Sequence, residues 1–213
     1  VTSATYRQSS NDREDLENVD PDNILLARQS RRRFEAEVIR DNALAVSGLL
    51  SRKIGGPSVF PYQPPGVMRL AQVERPWDVS SGEDRYRRGL YTFFWRSTPH
   101  PFLKTFDAPD SNTTCTRRYQ SNTPLQALTL LNDESFVECA KALGEHLASC
   151  NAESDEESVR YAVQLCLARE PSEYELQRLL EVLTVEREAE TETAPWTTLA
   201  RVMLNLDEFI TRE

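Results

Sequence analysis

Apolar residues recur at the spacing of an α-helix in two long stretches, one toward each end of the chain. The first runs from Pro21 to about Ser51, and Asp20 before it is a residue type that caps helix starts. The positions that carry the period are Leu25, Leu26, Phe34, Val38, Ile39, Leu44, Val46, Leu49 and Leu50. This pattern predicts one long helix or two consecutive helices with a break near Arg31–Arg33, an arginine run interpreted as a solvated helix face.

The second stretch, residues 123–213, contains several sequence signals for helix starts. Capping boxes, in which Ser or Thr precedes Glu or Gln by three positions, begin at Thr123, Ser154 and Ser172, and Pro195-Trp196 opens a further helix. We expect helices over 123–147 with a bend or restart at Asn132–Asp133, and over 154–169, 172–188 and 195–210. Because the connectors are short, neighbouring helices are expected to pack antiparallel.

The middle of the chain, residues 52–122, has a different composition. It holds 8 of the 12 prolines and 11 of the 18 aromatic residues, which excludes long helices and requires burial of the aromatic rings. The aromatic run at 89–96 predicts a strand there. The fold class is therefore predicted as mainly α, a helical bundle with a Pro/Gly/aromatic-rich, partly β middle segment. We expect one domain over 1–213, made of N-terminal helices (1–51), this segment (52–122) and a C-terminal helical part (123–213).

Composition describes a globular chain of 213 residues, with 39 % hydrophobic and 28 % charged residues. No apolar run approaches the roughly 18–20 residues of a membrane helix. The polar N-terminal residues lack the apolar core of a signal peptide. The chain begins with Val1 rather than Met, so we expect it to be a piece of a longer protein.

The net charge of −9 is unevenly distributed along the chain. Residues 51–122 carry 11 basic and 6 acidic groups, whereas residues 123–213 carry 7 basic and 19 acidic groups. An acidic chain repels nucleic acid, so we expect no nucleic-acid partner. The basic middle segment either binds an anion or docks on the acidic helices of its own chain.

The cysteines and histidines give no metal or haem motif. Cys115, Cys139, Cys150 and Cys166 form no C-x-x-C or C-x-x-C-H pattern, and His100 and His146 are the only histidines. We therefore expect no metal site and no cofactor in this chain. If the chain is exported, one or two disulfides can form, and their pairing stays open.

The candidate site residues are His100, Asp107, Arg117 and Arg118. His100 lies between two prolines in a restricted backbone, which suits a fixed ligand or base, and Asp107 follows it. The paired arginines precede a capped helix, where guanidinium groups and free amides favour carboxylate or phosphate. The structural alternative is that His100 packs under aromatic rings and that the arginines pair with nearby acidic groups. No nucleotide-binding, esterase or metalloprotease motif is present, so enzymatic activity stays undecided.

A set of short phrases in the chain is similar to a known family. They are Thr2–Ser10, Ala36–Asp41, Gly55–Val59, Tyr86–Tyr91, Pro99–Pro101, Phe106–Pro109, Asn122–Leu128, Leu131–Asp133 and Trp196–Phe209. The chain resembles the planctomycete secreted domain of unknown function that forms the C-terminal part of large exported proteins. The resemblance implies export to the periplasm or cell surface. It also implies upstream domains in the parent protein, where a cytochrome-type domain can carry haem.

The resemblance supplies no reaction, so no catalytic residue is assigned. The leading hypothesis is a non-catalytic structural or interaction domain of a larger exported protein, whose partners include its own upstream domains. One alternative is a carbohydrate- or anion-binding or hydrolytic domain that uses the His100–Arg118 region, with polysaccharide as partner. A second alternative is a docking domain for a haem redox protein.

Overall fold

The computed structural model describes residues 2–4, 6–11, 13–71, 73–150, 152–189 and 192–212. Its elements in chain order are β1 (Arg32–Arg33), α1 (Ala36–Val46), α2 (Pro101–Thr105), α3 (Pro124–Asn132), α4 (Glu134–Ser149), α5 (Asp155–Leu167), α6 (Glu173–Glu188), α7 (Pro195–Leu204), α8 (Asp207–Ile210) and β2 (Thr211–Arg212). Short 3₁₀ helices occupy Glu14–Leu16, Val67–Leu70, Gly82–Tyr86 and Gly89–Tyr91. The predicted mainly α class is confirmed.

The C-terminal helices begin where their caps predict. Thr123 and Gln126 bond each other's backbone in a reciprocal capping box, and so do Ser172 and Glu175. Asp133 ends α3 and caps α4 by accepting a hydrogen bond from the Ser135 amide at 2.9 Å, which confirms the predicted restart. These caps satisfy amides that the first helical turn leaves unbonded.

The last predicted helix is divided in two. The backbone is extended at Leu206, so α7 ends at Leu204 and α8 begins at Asp207. The change of direction allows Phe209 and Ile210 to be buried against the other helices before the chain enters β2.

The prediction of a helix from Pro21 is wrong, because the N-terminal helix begins only at Ala36. The carboxylate of Asp20 accepts hydrogen bonds from the amides of Ile24 and Leu25, each at 2.7 Å, and closes a tight turn. The side chains of Ile24 and Leu25 are both more than 70 % exposed, so the apolar spacing in this part of the chain does not correspond to a buried helix face.

The interpretation of Arg31–Arg33 as a solvated helix face is also wrong. Arg32 and Arg33 form β1, which pairs antiparallel with β2, opposite Arg212 and Thr211 respectively. The side chain of Arg33 is largely buried and bonds Asp107. The run therefore joins the two ends of the described chain.

The predicted strand at 89–96 is mostly absent. Gly89–Tyr91 is a 3₁₀ turn, and only an isolated parallel bridge joins Thr92 to Val59. The turn lies against α1, where a Cβ on Gly89 would be 3.0 Å from the Cα of Glu37. The segment therefore packs on α1 as a turn, and its strand-like pairing is limited to the bridge with Val59.

The core is built mainly by the C-terminal helices. Helix α4 packs most extensively on α7, and α5 and α6 complete the bundle. The crossing of α4 and α7 is so close that a Cβ on Gly144 would lie 2.8 Å from the Thr197 amide nitrogen. Helix α2 joins this core through Phe102, whose ring stacks on Phe136 at 5.1 Å.

No helix in the described part of the chain is long and apolar enough to cross a membrane.

Candidate functional site

The loop between Asp107 and Ser121 is held closed at its base. The Asp107 carboxylate accepts hydrogen bonds from the Ser121 amide at 2.8 Å and from its hydroxyl, although the two residues are 14 positions apart. The same carboxylate pairs with the Arg33 guanidinium at 2.5 Å. Gln126 donates a further hydrogen bond to the Ser121 hydroxyl at 3.1 Å. The base of the loop is thereby fixed between α2 and α3.

A second anchor joins the loop to α1. The Arg118 guanidinium contacts the carboxylates of Glu37 at 2.7 Å and Glu35 at 3.1 Å. The hydrogen bond with Glu37 raises the pKa of Arg118. Arg118 is therefore a positively charged tether of the loop, and its charge is matched by two acidic groups.

Arg117 and Tyr119 extend from this anchored loop into solvent. They line a groove of about 1120 Å³, which shares Arg32, Glu35 and Gln120 with an adjoining depression of about 420 Å³. We call this continuous surface the basic groove; its charged residues are Arg28, Arg32, Arg33, Glu35, Arg117, Arg118 and Arg212. The guanidinium groups of Arg32 and Arg117 make no ion pair with any residue that the structure describes.

The basic groove has the chemistry of an anion-binding surface. Two unpaired guanidinium groups can bind carboxylate, sulfate or phosphate oxygens in a bidentate manner. Tyr119 is 88 % exposed, so its ring offers a flat face beside them. No histidine lines the groove, and Cys115 is its one lining thiol within the described residues. The groove therefore combines two guanidinium groups, an exposed aromatic ring and one exposed thiol.

His100 contacts a different part of the molecule from the other three candidate residues. It caps α2, is buried, and its Nε2 lies 2.8 Å from the Tyr62 carbonyl oxygen. Because a carbonyl can only accept, Nε2 carries the hydrogen and Nδ1 is unprotonated. Burial lowers the pKa of His100 to about 4, so the ring is neutral at pH 7.

This lowered pKa predicts acid sensitivity. The unfolded chain binds a proton at His100 near pH 6.5 and the folded chain only near pH 4, so stability falls as the pH drops between these values. We expect His100 to lower the free energy of unfolding by about 2 kcal/mol at pH 5 relative to pH 7. Urea denaturation at both pH values measures this difference. His100→Gln should remove that component and His146→Gln, an exposed position, should retain it; equal profiles in all three proteins would contradict the assignment.

All four cysteines are free thiols, so the disulfides that export would allow are not formed. Burial raises the pKa of Cys139 to about 11 and that of Cys166 to about 12, which makes both thiols unreactive. Cys115 is exposed in the basic groove. Among the described residues, no group of three or more His, Cys, Asp and Glu side chains is arranged to hold a metal ion.

Of the four sequence-predicted residues, the structure places Asp107, Arg117 and Arg118 on one loop. The sequence reasoning missed Arg32, Glu35 and Tyr119 as lining residues of the same groove. The arginine run at 31–33 is a sequence signal for a basic surface. Because the run was interpreted as a helix face, the sequence did not indicate that Arg32 lies in the same groove as Arg117.

Comparison with known proteins identifies the family. The model of the PSD1 family, described as a protein of unknown function (DUF1553), matches residues 1–183. The chain belongs to this family. No curated protein and no solved structure matches it. The part of this DUF1553 protein that matches the family model ends within α6, so α7, α8 and β2 lie beyond it.

In this DUF1553 protein, three of the phrases that carried the family resemblance, Ala36–Asp41, Gly55–Val59 and Tyr86–Tyr91, contact one another around α1. Arg40 donates to the Arg87 carbonyl at 2.6 Å, and Asp41 accepts from the Gly89 amide at 2.6 Å. Arg87 in turn donates to the carbonyl oxygen of Gly55 at 2.5 Å. These three phrases are thus joined at α1, and Glu37 of α1 in turn holds Arg118 of the groove-lining loop.

Proposed function

We propose that this chain is a non-catalytic interaction domain of a larger exported protein and that it binds an acidic polysaccharide in the basic groove. The observation that carries the proposal is the pair of unmatched guanidinium groups, Arg32 and Arg117, in one groove of a chain whose net charge is −9. The chain as a whole is acidic, but these two arginines make this anchored surface locally positive. The surface therefore attracts anions although the whole chain repels them.

The non-catalytic part of the proposal is supported by the partners of the other candidate residues. His100 is buried and neutral, Asp107 is bonded to Arg33 and Ser121, and Arg118 is tethered to α1. Each of these side chains has a role in holding the fold. Only Arg117 of the four candidates is exposed without an ion-pair partner among the described residues.

Two features of the groove favour a charged sugar polymer as the ligand. The groove is large, since its two adjoining parts of about 1120 and 420 Å³ share the lining residues Arg32, Glu35 and Gln120. Tyr119 offers an exposed aromatic ring next to the guanidinium groups, and such a ring packs against the apolar face of a sugar. The proposal takes export of the parent protein, and the presence of upstream domains, from the family resemblance alone. It places any haem in an upstream domain, outside this chain.

The proposal predicts charge-reversal effects that depend on position. Arg32→Glu combined with Arg117→Glu should weaken binding of polygalacturonate oligomers at low salt by about 100-fold, since each lost charge-assisted contact is worth about tenfold. Arg52→Glu combined with Arg96→Glu, at exposed positions outside the groove, changes the net charge equally and should weaken binding by about twofold at most. Isothermal titration calorimetry measures both. Equal losses in the two double variants would show that only overall charge matters, and absence of binding by the unchanged chain would refute the proposal.

A further inference from the structure

A second cleft lies in the middle segment, away from the basic groove. It has a volume of about 600 Å³ and is formed by residues of the stretches 62–69 and 74–79. Its lining includes the aromatic side chains of Tyr62 and Trp77, the amide of Gln63 and three prolines. The cleft has no lining residue in common with the basic groove. Its size and its combination of rings with a few polar groups are typical of small-ligand sites.

Gln63 is the unusual residue of this cleft. Its side chain is 7 % exposed, and its Oε1 has no hydrogen-bond partner among the described residues. Gln126 is buried to a similar degree, yet its Oε1 accepts from the Thr123 amide and its Nε2 donates to Thr105 and Ser121. Buried acceptors are almost always bonded, because an unbonded one loses its hydration without replacement. The Gln63 oxygen therefore needs a donor that the folded chain does not supply.

The Trp77 ring beside it is held in one orientation. Its Nε1 donates to the Pro61 carbonyl at 2.8 Å, and its ring meets Phe60 edge-on at 5.1 Å. The ring centroid of His100 is 5.8 Å away, and the buried His100 Nδ1 is also without a partner in the described chain. Because the polar atom of Trp77 is already bonded, its ring offers the cleft apolar contact.

Of the two arginines that line the cleft, one has an acidic partner and the other packs on an aromatic ring. Arg69 pairs with Glu74 at 3.8 Å, and the Arg75 guanidinium lies over the Trp95 ring at 5.5 Å. A ligand that fits the cleft does not need a charge; it needs an apolar face for the rings and a hydroxyl or amide hydrogen for Gln63.

We propose that this cleft binds a neutral sugar ring, whose apolar C–H face packs on Trp77 and whose hydroxyl donates to Gln63 Oε1. A pyranose ring combines these two properties in one rigid unit, whereas proline residues of an extended peptide lack a donor for the Gln63 oxygen. The proposal is independent of the basic groove and of its ligand.

The same substitution at the two buried glutamines separates binding from folding. Methionine has the shape of glutamine without its polar atoms, so Gln63→Met removes an acceptor that the fold leaves unbonded, and the melting temperature should stay unchanged or rise. Gln126→Met removes bonded groups and should lower the melting temperature by roughly 5 °C, measured by calorimetry. A similar drop for Gln63→Met would show that its amide has a structural partner and would overturn the proposal.

Binding is measured by titration of the full chain with neutral hexasaccharides of glucose, xylose and mannose, followed by the NMR signal of the Trp77 indole. At least one sugar should shift this signal, and Gln63→Met should weaken its binding by at least about tenfold. Gln177→Met, at an exposed position on α6, should bind as the unchanged chain does. Absence of a shift with every sugar, unchanged binding by Gln63→Met, or a shift with a proline-rich peptide in place of the sugars would each overturn the proposal.

Discussion

Arg87→Met will lower the free energy of unfolding by about 4 kcal/mol and the melting temperature by about 10 °C. Arg87 is 1 % exposed, and its guanidinium donates to the carbonyl oxygens of Lys53, Gly55 and Pro57. It also lies over the Tyr91 ring at 3.7 Å. Methionine fills part of the volume but leaves three carbonyl groups without their donor. Chemical denaturation of the two proteins measures the loss.

The neighbouring Arg88 is the matched control for this prediction. Its side chain is half exposed and its contact with Asp41 is longer, at 3.5 Å. Arg88→Met should therefore cost less than about 1 kcal/mol, as expected for a surface ion pair. If the two variants lose the same stability, Arg87 does not organise the Lys53–Pro57 loop as described.

Asp107→Asn is expected to cost about 3 kcal/mol and to loosen the loop that carries Arg117. The substitution keeps the shape of the side chain and removes the charge that matches Arg33, whose side chain is 8 % exposed. The backbone at Asp107 has φ +63°, a conformation that asparagine adopts readily, so the loss reports the charge rather than backbone strain. Denaturation gives the stability, and hydrogen exchange of the Ser121 amide, which donates to the Asp107 carboxylate, should become faster.

Asp110→Asn provides the comparison for this second prediction. Asp110 is exposed and bonds only the nearby Asn112 amide in the described chain, so its change should alter stability by less than about 0.5 kcal/mol. Exchange of the Ser121 amide should be unchanged in this variant. Protection that survives Asp107→Asn, or that is lost equally in Asp110→Asn, would contradict the role given to the loop base.

Features that depend on neighbours in sequence were predicted well. The capping boxes at Thr123 and Ser172 join residues three positions apart, so the residue types alone specify the bonds. The restart at Asp133 is equally local, since its carboxylate bonds the amide two positions on. The mainly α class follows from these starts, because each is succeeded by an apolar period of 3.6 residues.

Features that depend on distant residues were not predictable from the same patterns. The partner of Arg118 is Glu37, 81 positions away, and that of Arg33 is Asp107, 74 positions away. No local rule distinguishes these arginines from Arg117, which has no such partner among the residues that the structure describes. The helix predicted near Leu25 was wrong for a related reason. The apolar spacing there matches a helix, but the Asp20 carboxylate bonds the Leu25 amide and closes a turn instead.

The antiparallel pairing of Arg32 with Arg212 has a consequence for biosynthesis. A nascent chain emerges from the ribosome with β1 first, but β2 and the α7 surface that covers α4 are made last. Until then, the apolar side chains Leu143 and Leu147 on α4 lack their main cover. Folding of this unit is therefore completed only after β2 has left the ribosome, and until then this apolar face of α4 lacks its main cover.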